Sequence, residues 1–207
     1  MPSGAHAQFI AQIGFVGQLI TIHAKLQTGQ GRRHEQHAIH RAGVVMTVAA
    51  WESYIERVLL EAFASVVTNA AGGPNWARHI LTLKSTEVKE TTSDFHTPNG
   101  ENVQRIFKRA LEFDPIPSWT WNAPNRNWDP EMMKTRLNAW VKIRHSVAHG
   151  SDLPDNIPWI KPRGAQRPRL NLPLLRECKK FFEHVAAQTD DAFRNWLQNH
   201  HGVPAPW

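Results

Sequence analysis

The sequence predicts an all-α chain, an up-and-down helical bundle carrying proline-rich loop insertions. Three observations predict it. Apolar residues recur at helical spacing through long runs, Gly and Pro gather at a few points between those runs, and prolines concentrate in the stretches 114–130 and 154–173. With 207 residues, 41% of them hydrophobic and 20% charged, the chain has apolar material for one sizeable core and reads as a single domain over 1–207.

A first helix is expected over about residues 5–27, ended by Gly29-Gln30-Gly31, and a long second one over about 35–69, stopped by Gly72-Gly73-Pro74. Shorter helices follow at 75–92 and 100–113. Asp129-Pro130-Glu131 reads as an N-cap, a proline in the first helical position and an early acid; it opens a helix to His149 that Gly150 ends. The last helix covers about 173–200. Between these, 114–130 places Trp119, Trp121 and Trp128 among four prolines, which points to a cover packed on the bundle rather than to base stacking. The stretch 154–173 carries Lys161, Arg163, Arg167 and Arg169 with no acid after Asp155. A short hairpin is expected inside it, with 159–160 facing 170–172.

The net charge is +6, and about five units of it fall in residues 131–207. An anionic partner is implied, met by the last third of the chain. The single cysteine, Cys178, excludes an intrachain disulfide and a cysteine zinc ribbon, and suits a reducing cytoplasm. The apolar run from Phe9 to Ile22 is broken by Gln12, Gly14, Gly17 and Gln18. No secretory signal and no uninterrupted apolar span of ~18 residues is expected, hence no membrane partner.

Two charges stand where apolar residues are called for. On an ideal helix Val45, Val48, Ile55, Leu59, Phe63 and Val66 all fall within about 60° of Glu52. Met133, Leu137, Trp140, Val141 and Val147 fall within about 60° of Arg144 in the same way. A lone charge in an apolar stripe costs several kcal/mol, so each needs a partner. The economical expectation is that the two helices pack and Glu52 meets Arg144.

Around that arginine the chain reads Ile143-Arg144-His145-Ser146-Val147-Ala148-His149-Gly150. This resembles the Arg-polar-x-x-x-His signature of the HEPN superfamily, and Ala50-Trp51-Glu52-Ser53-Tyr54-Ile55-Glu56 looks like the acidic helix of its RiboL-PSP-type branch. The bare Arg–His spacing also occurs at Arg32/His37, Arg33/His40, Arg194/His200 and Arg194/His201, as chance with 12 histidines allows. Of these, Arg194/His200 is the real competitor, with Asn195 as its polar second residue, although it lies where chains fray. Arg144 alone sits in an apolar stripe opposite a matching acid.

The resemblance implies a HEPN-like bundle acting as a metal-independent endoribonuclease. It implies a toxin or antiviral defence role, a homodimer, and an antitoxin or nucleotidyltransferase as a possible further partner. The residue types suit the chemistry. Transesterification of RNA needs a base at the 2′-hydroxyl, an acid at the leaving 5′-oxygen and positive charge on the phosphate. A histidine side chain can fill either proton-transfer role, which His149 is expected to do; Arg144 offers a forked donor, and His145 stands as the motif's polar position. Glu52 is expected to support Arg144, with Lys142, Lys161, Arg163, Arg167 and Arg169 contacting RNA. His145/His149 and His34/His37/His40 have spacings a metal could use, but no third ligand stands convincingly by, so neither metal nor cofactor is expected. The rival reading is a non-catalytic module that binds RNA, nucleotide or protein.

Overall fold

The structure, a computed structural model, describes residues 1–26, 36–124, 126–161, 167–204 and 206–207. Among them the chain forms six helices: α1 (Gly4–Lys25), α2 (Gln36–Asn69), α3 (Asn75–Ser93), α4 (Gly100–Leu111), α5 (Pro130–Ala148) and α6 (Leu172–His201). Short side chains start four of them. Ser3, Asn99, Asp129 and Asn171 each accept a hydrogen bond from the backbone N–H three residues on, which satisfies one of the donors a helix start leaves open.

Four of the helices, α1, α2, α5 and α6, run up and down. Gly4 lies against Glu61 and His23 against His40, so α2 returns antiparallel to α1. Glu52 meets Arg144, placing α5 on another flank of α2. Tyr54 reaches Ala186 and Gly43 reaches Leu175, so α6 runs parallel to α2. A Cβ on Gly43 would sit 2.5 Å from Leu175 Cδ1, so the glycine sets how closely α2 and α6 approach. Between α2 and α5, α3 and α4 form a smaller arm.

The core is aromatic. Trp51, Trp119, Trp140, Tyr54, Phe9, Phe107, Phe181, Phe182 and Phe193 are fully buried, each a large area taken from water. The chain's start is tied in by a buried carboxylate: Asp190 accepts from Ser3 N at 3.0 Å, from the Ser3 hydroxyl and from Tyr54 Oη. By length and composition α1 suffices to cross a bilayer. Counting only uninterrupted apolar residues hides that property. In this structure its inner side packs Phe9, Ile13 and Val16 into the core.

One expectation needs correcting. The hairpin lies in the first proline-rich stretch, not the second: β1 (Trp121–Ala123) pairs antiparallel with β2 (Arg126–Trp128), Trp121 opposite Trp128. Residues 158–160 are instead a 3-10 turn, and Arg169 N, just outside the expected strand, donates to Ile160 O at 3.0 Å. The tryptophans do pack. Trp119 is buried and donates Nε1–H to Thr189, while Arg126 lies over both Trp121 and Trp128 at 4.6 and 4.2 Å. The start of the second helix near residue 35, and His34, lie outside the described residues.

Candidate functional site

The site forms where α5 crosses the middle of α2. Its first element is the ion pair: Arg144 Nη2 donates to Glu52 Oε2 at 2.7 Å. Neither partner is sealed off, the side chains keeping 23% and 16% of their exposure. The two positions differ in kind. Arg144 lies mid-stripe between Met133, Leu137, Trp140, Val141 and Ile143, all buried. Glu52 lies at the stripe's edge rather than its centre, because Val44, Trp51, Val58 and Ala62 move the buried centre about 90° away. Weighing only the aliphatic residues near Glu52 misplaced it.

Burial raises the Glu52 carboxyl above its ordinary range, with Arg144 pulling it back and Glu56 pushing the same way as burial. Glu56, one turn on along the same face, is also raised by burial, against the pull of His96 and Arg57. His96 acts on both acids. It sits in the α3–α4 connection, held by Trp51 Nε1–H to Pro98 O at 3.1 Å and by Gly100 N–H to Asn138 Oδ1 at 2.7 Å. Sequence reasoning missed His96, since no motif marks it. Glu56 was readable from its spacing.

The histidines occupy the end of α5. Bonds from His149 N to His145 O and from Ser151 N to Ser146 O close the helix, and Gly150 takes a positive φ of 67°. Both imidazoles are exposed, and their centroids lie 4.3 Å apart. Ala148 is exposed here, beyond the packed part of the stripe. The site therefore presents a shielded guanidinium fixed from behind by a carboxylate, beside two accessible rings at a helix end.

The basic residues divide. Lys142 donates to Asn156 Oδ1 at 3.1 Å and so ties the following loop to α5. Lys161, Arg167 and Arg169 are exposed on that loop, whose base is fixed by buried Leu153, Ile157, Ile160 and Leu170. Arg163 lies outside the described residues. The competing pair is otherwise engaged: Arg194 donates to Met1 O and pairs with Asp191, and His200 stacks on Trp196. Among the described residues no group of three or more His, Cys, Asp or Glu side chains gathers as metal ligands would.

The all-α bundle is that of a helical module of the HEPN class. The chain matches the RiboL-PSP-HEPN family over residues 17–195 and belongs to that family. Membership makes it a HEPN-type, RNA-related module. No curated protein and no solved structure matches it.

The burial of Glu52 predicts a pH-dependent stability. A carboxyl raised on folding contributes stability that is full below its ordinary value of 4.5 and lost as pH rises through the folded value. The wild-type advantage over Glu52→Gln should therefore shrink from pH 4.5 upward and then level off. At neutral pH Glu52→Ala should cost about 1–3 kcal/mol by leaving Arg144 unpaired. An unchanged melting temperature in Glu52→Ala would show that the carboxylate does not hold the arginine.

Proposed function

We propose that this protein is an endoribonuclease that cuts single-stranded or looped RNA with side chains alone. The observation that carries the reading is Arg144 held by Glu52 at 2.7 Å beside the exposed His145–His149 ring pair. Among the described residues Arg144 makes no other hydrogen bond, so the rest of its fork is available to phosphate oxygens. One imidazole takes the proton from the 2′-hydroxyl as that oxygen attacks phosphorus. A second proton-transfer group protonates the 5′-oxygen as the P–O5′ bond breaks. The products are a 2′,3′-cyclic phosphate and a 5′-hydroxyl, and the guanidinium meets the charge that builds on the phosphate. His149 is the first proton-transfer group, with His145 assisting phosphate binding or orientation.

The role that accompanies this activity is that of a cytoplasmic toxin or defence effector, restrained by an antitoxin or a nucleotidyltransferase. The reading is tested by incubating the protein with single-stranded RNA in EDTA. Fragments support it; binding without fragments makes the chain a non-catalytic RNA-binding module.

The loop after α5 governs affinity. Neutralising Arg163, Arg167 and Arg169 together should weaken RNA binding and flatten its salt dependence, by ~0.7 in log–log slope for each phosphate that the loop no longer neutralises. Equal slopes for variant and wild type would show that the loop faces away from the strand.

A further inference from the structure

We infer that His37, Arg41 and Arg169 form a second phosphate subsite, which holds the same RNA strand a short distance from the phosphate gripped by Arg144. The inference rests on the ribonuclease reading and adds a subsite to it. The three side chains border one cleft of about 300 Å³, together with Leu153, Pro168 and Leu170. No acid lines it. All three cationic or titratable side chains are exposed, and among the described residues neither Arg41 nor Arg169 has a carboxylate partner. Buried Leu153 and Leu170 fix the floor, and the Arg169 N–H to Ile160 O bond pins the backbone that carries the loop arginine. An arginine fork without a counter-charge, beside a second guanidinium and an imidazole, suits an anion with several oxygens.

Placement identifies the anion. Arg41 stands eleven residues before Glu52 on α2, so it lies about 16 Å along the same helix and within about 20° of the same face. Helix α5 runs antiparallel over that face, and its end, with His149, falls between the two positions. Leu153, four residues beyond His149, already lines the cleft. Along the length of the α2–α5 pair Arg144, His149 and Arg41 therefore succeed one another. That is the order a single strand's successive phosphates would follow.

The test uses the full chain with uncleavable 2′-O-methyl oligonucleotides of two and eight nucleotides, and with inorganic phosphate alone. Wild type should bind the octamer more tightly than the dinucleotide. Arg41→Ala should weaken the octamer by about tenfold, leave the dinucleotide unchanged, and keep the wild-type melting temperature; Arg41→Lys should restore part of the loss. Octamer affinity unchanged in Arg41→Ala overturns the subsite. If neither oligonucleotide binds, the RNA reading fails, and phosphate then decides the subsite by itself. A shift of the His37 ring resonances on adding phosphate, absent in Arg41→Ala, supports it; no shift in wild type overturns it.

Discussion

His149→Ala is expected to leave the chain folded and to lower RNA cleavage by about 10²–10⁴-fold, the usual worth of a positioned proton-transfer group. The side chain is exposed at the C-cap of α5 and its ring neighbour is His145, so truncation removes no core packing. Arg144→Ala should lose comparable activity for a different reason. It removes positive charge from the phosphate and also leaves the half-buried Glu52 carboxylate without its 2.7 Å partner, so its melting temperature should fall while that of His149→Ala does not. Cleavage rate and thermal unfolding, measured on both variants, separate the roles. Wild-type cleavage by His149→Ala would move the chemistry to Arg194 and His200.

Breaking a two-fold homodimer should have an effect of similar size. Transesterification wants two proton-transfer groups, and each motif securely supplies one. On an ideal helix Arg144 and His149 also point about 140° apart, an awkward grip on one phosphate from one chain. A two-fold axis beside the end of α5 would bring a second Arg144 and His149 across and make one cleft from a self-complementary surface. Ala148 is exposed at that helix end. Light scattering should give the mass of two chains for wild type, and Ala148→Glu should give a folded, inactive monomer. A monomer that cuts RNA at the wild-type rate makes His145 the second group. A variant that stays dimeric and active places the interface elsewhere.

The helices were legible because their ends are marked by residues with one physical use. Asp129 before Pro130 caps α5, and Gly150 after His149 ends it with a left-handed φ that a side chain resists. The pairing of Glu52 with Arg144 was legible for the opposite reason: Arg144 breaks the apolar pattern of α5 and needs a counter-charge, although Glu52 itself stands at the edge of its own stripe. Three features were not legible. The strands of the 121–128 hairpin have three residues each, too few for an alternation to stand out in the sequence; Trp121 facing Trp128 with Arg126 over both holds it together, and that pairing exists only once the chain has turned. His96 reaches Glu52 and Glu56 through the tie of Pro98 to Trp51, which joins distant parts of the chain. Asp190 looks like a surface acid until Ser3 and Tyr54 close over it.

The most direct test of the central claim is the chemistry of the cut ends. Single-stranded RNA is incubated with the purified chain in EDTA, and the 3′ ends of the fragments are identified. Attack by the 2′-hydroxyl, with Arg144 on the phosphate and His149 moving a proton, predicts 2′,3′-cyclic phosphate or its 3′-phosphate hydrolysis product, absent from the His149→Ala reaction. Fragments ending in a 3′-hydroxyl, which signal attack by an activated water, or no fragments at all, would contradict the account.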